Sequence, residues 1–177
     1  KDSARLISFE GDVRVIRAAT RETEKVSRDT YLLAGDTIQT QADGKAQIKM
    51  IDGAVLTIRP NSTVVIRDSS SIFGGTSVKV ALDDGQINVK TQDQTEASNN
   101  VVEVKQVENK LQSQTDASFN SNAGGCEIRI SRGGVETTVG GEKTVIKDGE
   151  FAAINQNGKL SPKERLYEPP KLMNPPN

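Results

Sequence analysis

Residues 35–66 read GDTIQTQADGKAQIKMIDGAVLTIRPNSTVVI. Apolar and polar residues alternate along this stretch almost without a break. Ile38, Ala46, Ile48, Met50, Ala54, Leu56, Ile58, Val64 and Ile66 fall on one face, and Gln39, Gln47, Lys49, Thr57 and Arg59 on the other. A period of two marks a half-buried strand, because successive side chains of a strand point to opposite sides. Asp52-Gly53 separates two alternating runs and suits a tight turn with positive backbone angles. Pro60-Asn61-Ser62 closes the next run. The stretch is a β-meander, and no residue in it suggests reactive chemistry.

The rest of the chain extends this pattern. Residues 5–17 form a first strand with Leu6, Val13 and Val15 as core, and residues 18–30 form a charged, exposed loop for which a short helix is the competing reading. Two hairpin-like units follow the meander. In residues 77–91, Val78, Val80, Leu82, Ile87 and Val89 alternate around Asp84-Gly85. In residues 126–139, Ile128, Ile130, Val135 and Val139 flank Gly133-Gly134. Between them QDQTEASNN (residues 92–100) has no apolar residue larger than Ala97 and reads as a solvated loop. Residues 101–111 and 143–154 alternate again. A glycine followed by alternation recurs at Gly11, Gly85 and Gly134, without the fixed period that a regular solenoid requires. The expected fold is all-β: a compact sandwich or roll of short, mostly hairpin-connected strands, with a short β-helix as the alternative. It occupies residues 1–160. Residues 161–177 hold five of the six prolines. Proline cannot donate to a ladder, so this segment is expected to be an extended linker outside the fold.

Composition agrees. A chain of 177 residues suits one domain, which buries roughly two thirds of its unfolded surface. Hydrophobic residues make up 34% of the chain, aromatic residues 3%, and there is no Trp. The core is therefore Val, Ile, Leu and Ala, which pack well on pleated sheets. The 23 basic and 24 acidic residues are spread along the chain. No basic stripe for phosphates stands out, so nucleic acid is not an expected partner. No apolar run approaches the ~20 residues that span a bilayer. No signal peptide is present, and a chain numbered from Lys1 is uninformative about one.

Chemistry is sparse. Without histidine the commonest general base and metal ligand are both missing, and Ser-His-Asp or Cys-His arrangements cannot form. Cys126 is the single cysteine, which excludes an internal disulfide and a structural zinc site. It follows Gly124-Gly125 at a strand start and reads as a buried, inert thiol; a reactive one would need a nearby cation such as Arg129 or Arg132. Asp52-Gly53 and Asp83-Asp84-Gly85 lack the ligand spacing of a calcium loop and read as turns. Phe73-Gly74-Gly75 is either an exposed tip or a core plug. Asn61-Ser62-Thr63 fits a glycosylation acceptor only by coincidence. No catalytic, cofactor or metal residue is expected, and no partner-binding residue can be assigned.

Several of these segments resemble the FecR domain, a β-rich module of bacterial envelope proteins. The residues that carry the likeness are Gly11-Asp12-Val13-Arg14-Val15, Leu33-Ala34-Gly35-Asp36-Thr37-Ile38-Gln39-Thr40, Ala46-Gln47-Ile48, Asp52-Gly53-Ala54, Leu56-Thr57-Ile58-Arg59-Pro60-Asn61-Ser62 and residues 80–89. Where the family has a compact Gly-Thr turn, this chain has residues 116–125. The resemblance implies a periplasmic or extracellular, non-catalytic binding or scaffolding module that contacts a protein or a cell-wall polymer through its sheet surface or edges. The alternative it implies is the periplasmic sensing domain of a sigma-factor regulator, since the name-giving proteins are membrane-anchored regulators that sense an outer-membrane transporter. A hydrolase using carboxylates alone is the third class.

Overall fold

The alternating runs of the sequence are β-structure in the computed structural model, which describes residues 4–161 and the pair Glu164–Arg165; residues 5–17, expected as one strand, are two strands, Ala4–Glu10 and Val13–Ile16. In chain order the strands are β1 (Ala4–Glu10), β2 (Val13–Ile16), β3 (Thr23–Lys25), β4 (Tyr31–Leu32), β5 (Thr37–Thr40), β6 (Lys45–Lys49), β7 (Val55–Ile58), β8 (Thr63–Ile72), β9 (Gly75–Lys90), β10 (Asn99–Val104), β11 (Val107–Leu111), β12 (Asp116–Asn122), β13 (Gly125–Arg132), β14 (Gly134–Val139), β15 (Glu142–Lys147), β16 (Glu150–Asn155) and β17 (Glu164–Arg165). No helix occurs among the described residues. The proline-rich segment otherwise lies outside them. Glu164–Arg165 pairs with β16 at Phe151 and Glu150.

The strands make two layers joined through β9. The first is ordered β4-β1-β6-β7-β9-β12-β13-β16-β17 and the second β3-β2-β5-β8-β9-β10-β11-β14-β15. All nine apolar positions expected from residues 35–66 are buried, at most 4% exposed. They face matching rows from β9–β14, including Val80, Leu82, Ile87, Val102, Phe119, Ile128 and Val135. The arrangement is the expected sandwich or roll.

What closes it is a set of bends. Long alternating runs fold over and continue in the opposite layer: β1 into β2, β5 into β6, β7 into β8 and, within one strand, β9. The three glycine units of the sequence sit at such corners. Gly11 (φ 66) and Gly85 (φ 102) adopt the left-handed region, and a Cβ there would collide with the Asp43 carbonyl or with Ser62. Gly133 plays the corner role between β13 and β14.

This corrects the two units read above as hairpins. Residues 77–91 are one bent strand, and the halves of residues 126–139 lie in different layers. A hairpin turn and an interlayer bend can both use a glycine with positive φ and both preserve alternation, so the local sequence cannot separate them. The 18–30 loop carries the short strand β3 rather than a helix. From β9 the chain crosses at Gly85, returns, and lays β10 parallel to its own start, with Asn99 opposite Ser77 and Val104 opposite Leu82. That single coil is all that the described residues contain of the β-helix alternative; the other pairings are antiparallel.

Residues 101–111, read as one alternating run, are β10 and β11 joined at Lys105-Gln106. Both turn residues have positive φ, 51° and 64°. Such conformations cost roughly 1–2 kcal/mol in non-glycine residues, and primed turns prefer Asn-Gly. Gln106→Gly is therefore expected to stabilise the protein, raising Tm by roughly 2–4 °C. A thermal melt that falls instead would show that the Gln106 side chain matters more than its backbone.

Candidate functional site

The residues most prominent in the sequence hold the bends. Asp36 is almost fully buried (2% exposed) and its carboxylate accepts three hydrogen bonds: from Leu33 N (2.9 Å), Ala18 N (3.0 Å) and Arg17 Nη1 (2.8 Å). Burial alone would lower the Arg17 guanidinium, but its bond to Asp36 and the charges of Glu24 and Asp36 leave it raised. The Thr40 hydroxyl donates to Arg59 O (2.7 Å) and accepts from Ser62 N (2.9 Å), while Ser62 Oγ accepts from Gln86 N (3.0 Å). These bonds stitch the β5–β6, β7–β8 and β9 corners into one line. At the far end of the same strands Thr91 and Thr115 repeat the device. Thr91 Oγ1 donates to Gln112 O and accepts from Thr115 N, and Thr115 Oγ1 accepts from Gly134 N. A buried hydroxyl can donate and accept at once, which suits a bend where ladder bonds are interrupted.

The other residues singled out in the sequence are similarly placed. Asp52 Oδ1 accepts from Ala54 N (3.0 Å) and Oδ2 from Asn100 Nδ2 (2.8 Å), so it ties its turn to β10. Asn61, with φ 57, sits at a corner and donates its N–H to Gln41 O. Asp83 and Asp84 are exposed at the β9 bend. Phe73 is fully exposed at the β8–β9 tip, which decides for the tip over the plug. Residues 116–125 are mostly strand β12 rather than a turn. Among the described residues no group of three or more His, Cys, Asp or Glu is placed to hold a metal ion.

Cys126 points inward and is 4% exposed, whereas Arg129 points outward, pairs with Glu127 (3.5 Å) and stacks on Phe151 (5.2 Å to the ring centre). Burial pushes the thiol up to about 12. A thiol reagent at neutral pH is therefore expected to label it slowly in the native state and quickly after denaturation. A raised folded-state pKa stabilises the protein below the unfolded thiol's pKa, and this stabilisation is lost as pH rises from about 9 to about 12. Comparing wild type with Cys126→Ala over that window isolates the thiol, whose contribution is on the order of 4 kcal/mol. Rapid native labelling would overturn the assignment.

What the bends leave over is the outer face of the first layer. A groove of about 660 Å3 crosses β6, β7, β9 and β12. Its centre is a cross-strand row in register, Ser8, Gln47, Thr57, Asn88 and Ser118. Neighbours in this row hydrogen-bond: Ser8 Oγ donates to Gln47 Oε1 (3.1 Å), Gln47 Nε2 to Thr57 Oγ1 (3.3 Å), and Asn88 Nδ2 to Ser118 Oγ (3.0 Å) and Asp116 Oδ1 (2.7 Å). Cations flank the row on both sides. Arg5 and Lys49 are directly opposite each other, with Lys90 beyond Val55; on the other side lie Lys45 and Arg59, next in register after Ala46–Ile58. None of these five makes an ion pair among the described residues. The outer face of the second layer differs: Lys79 is bound to Glu108 (2.6 Å), which holds its ammonium above the usual range, and Arg67 lies 3.8 Å from Glu103. Sequence reading placed Lys49 and Arg59 outward but had no signal that residues 5, 45 and 90 would join them.

The layers and bends define a class, the two-layer β domain whose signature residues pin interlayer corners. Residues 36–136 match the family described as FecR protein, and the chain belongs to that family. No curated protein sequence matches it. Two crystal structures of a candidate anti-sigma factor from Parabacteroides distasonis ATCC 8503, at 1.65 and 2.50 Å resolution, share its fold with a TM-score of 0.60 and 15% identity. The match covers 73% of this chain and 59% of that one, so this chain spans less than two thirds of that protein's length.

Proposed function

We propose that the chain is a non-catalytic binding module of the bacterial cell envelope, periplasmic or extracellular, that contacts a protein or a cell-wall polymer through the outer face of its first layer. The observation that carries this reading is the polar groove with its unneutralised cations. The family's motif residues are engaged in holding corners, and this face is where side chains remain available. Beyond the β17 pair, the proline-rich segment serves as a linker; truncation after Tyr167 is expected to leave Tm unchanged, and a fall of roughly 4 °C or more would place the truncated part in the fold.

A second reading, the periplasmic sensing domain of a sigma-factor regulator, is favoured by FecR membership together with the fold shared with a candidate anti-sigma factor. One experiment addresses both. A photo-crosslinking residue is placed at Thr57 in the protein expressed in a bacterial envelope. A crosslink to a protein, lost on Lys90→Glu, supports a protein-sensing role. Co-sedimentation with purified cell-wall sacculi, lost on the same change, supports scaffolding. Absence of both results would overturn the assignment of this face.

A further inference from the structure

We infer that the groove on the first layer takes a linear polysaccharide bearing carboxylates. The inference deepens the binding role proposed above and rests on it.

The first-layer face is electrostatically frustrated. Like charges directly opposite on neighbouring strands destabilise a sheet, yet Arg5 faces Lys49 and Lys45 is set beside Arg59 with no ion pair for any of them. Glu10 is opposite Lys45 and Asp116 opposite Lys90 in register, but neither forms an ion pair, and Asp116 instead accepts from Asn88. The chain as a whole is slightly acidic, with net charge −1, and on the central strands of the second layer Lys79 and Arg67 are each set against a glutamate, Glu108 and Glu103. Unpaired cations gathered on one face of such a domain are complementary to an anionic ligand.

The form of the site selects among anions. The two cation rows are four residues apart along β6, about 13 Å, and the hydroxyl and amide row runs midway between them. A sugar chain lying along that row places ring hydroxyls on Gln47, Thr57 and Asn88, and its carboxylates reach outward to Lys49 and Lys90 on one side and Lys45 and Arg59 on the other. The groove has no aromatic side chain, so a neutral glycan that depends on ring stacking finds no platform. An acidic peptide is a poorer fit. β6, β7 and β9 are paired on both sides here, which leaves no backbone edge for an added strand, and Ile7 and Val55 are the apolar side chains that the groove leaves exposed.

The test is affinity electrophoresis of the full chain through gels containing polygalacturonate, dextran or poly-L-glutamate. Polygalacturonate is expected to retard the protein, dextran not at all, and poly-L-glutamate far less. Retardation should weaken as salt rises from low to physiological ionic strength. The double variant Lys49→Gln, Lys90→Gln is expected to bind polygalacturonate roughly ten-fold more weakly, since each exposed charge contact contributes a few-fold. Arg28→Gln, Lys143→Gln, at exposed positions away from the groove, should bind as wild type. Thr57→Val keeps the charges and should still weaken binding, which a purely ionic attachment would not. Equal retardation by poly-L-glutamate, equal losses in both double variants, or no retardation would each overturn the inference. If polygalacturonate fails while the Thr57 crosslink succeeds, the face binds something else and the binding role stands; if both fail, the role falls too.

Discussion

Phe119→Ala is expected to cost about 3–5 kcal/mol, the range for removing a buried phenyl ring. Phe119 is fully buried, the only aromatic side chain so placed among the described residues. In register it lies between Ile87 of β9 and Ile128 of β13, both also fully buried. In a core otherwise made of aliphatic side chains, no neighbour is large enough to refill the space, so a cavity persists. Denaturant unfolding should show a lower midpoint with an unchanged slope. Ser118→Ala, one position along, removes the acceptor of a groove hydrogen bond from Asn88 and should cost about 1 kcal/mol or less. If Ser118 proved the more sensitive, β12 would be out of register by one residue and every side chain on it would be reversed.

Asp36→Ala should cost about 3 kcal/mol or more. The change strips the acceptor from two backbone N–H groups and from Arg17, whose side chain is 21% exposed and so keeps partial access to water. Arg17 keeps Glu24 (3.2 Å) and Tyr31 O as partners, so the cost falls mainly on the Leu33 and Ala18 N–H groups, each of which loses a charge-assisted bond that contributes about 1.5–3 kcal/mol. Asp36→Asn keeps one carbonyl oxygen and should fall between Asp36→Ala and wild type. The measurement is again equilibrium unfolding. A cost below about 1 kcal/mol for Asp36→Ala would show that the motif aspartate is not a structural pin.

These two residues stand at opposite ends of legibility. Asp36 sits in Leu33-Ala34-Gly35-Asp36-Thr37-Ile38, a segment that marked the family from sequence. Nothing local said that its partners would be Arg17 and Ala18, because that pairing depends on how the 18–30 loop returns. Phe119 lay in the polar run DASFNSN, where Asn and Ser on the outward positions masked a strand. Its burial comes from β9 on one side and β13 on the other.

The groove follows the same rule. Lys49 and Arg59 were legible as outward-facing from alternation alone. Their meeting with Arg5, Lys45 and Lys90 was not, since it needs the β1–β6, β6–β7 and β7–β9 registers together.

By itself the sequence determined the all-β class, the inward and outward faces of residues 35–66 and several of the places where the chain must turn. Those follow from side-chain alternation and from glycine's access to positive φ, both properties of a few consecutive residues. The tertiary structure alone decided whether a glycine made a hairpin or a corner, which strands became neighbours across the β9 crossover, and which charges were left without partners. Those outcomes depend on pairings between residues tens of positions apart, and alternation fixes which way a side chain faces but not which strand lies beside it.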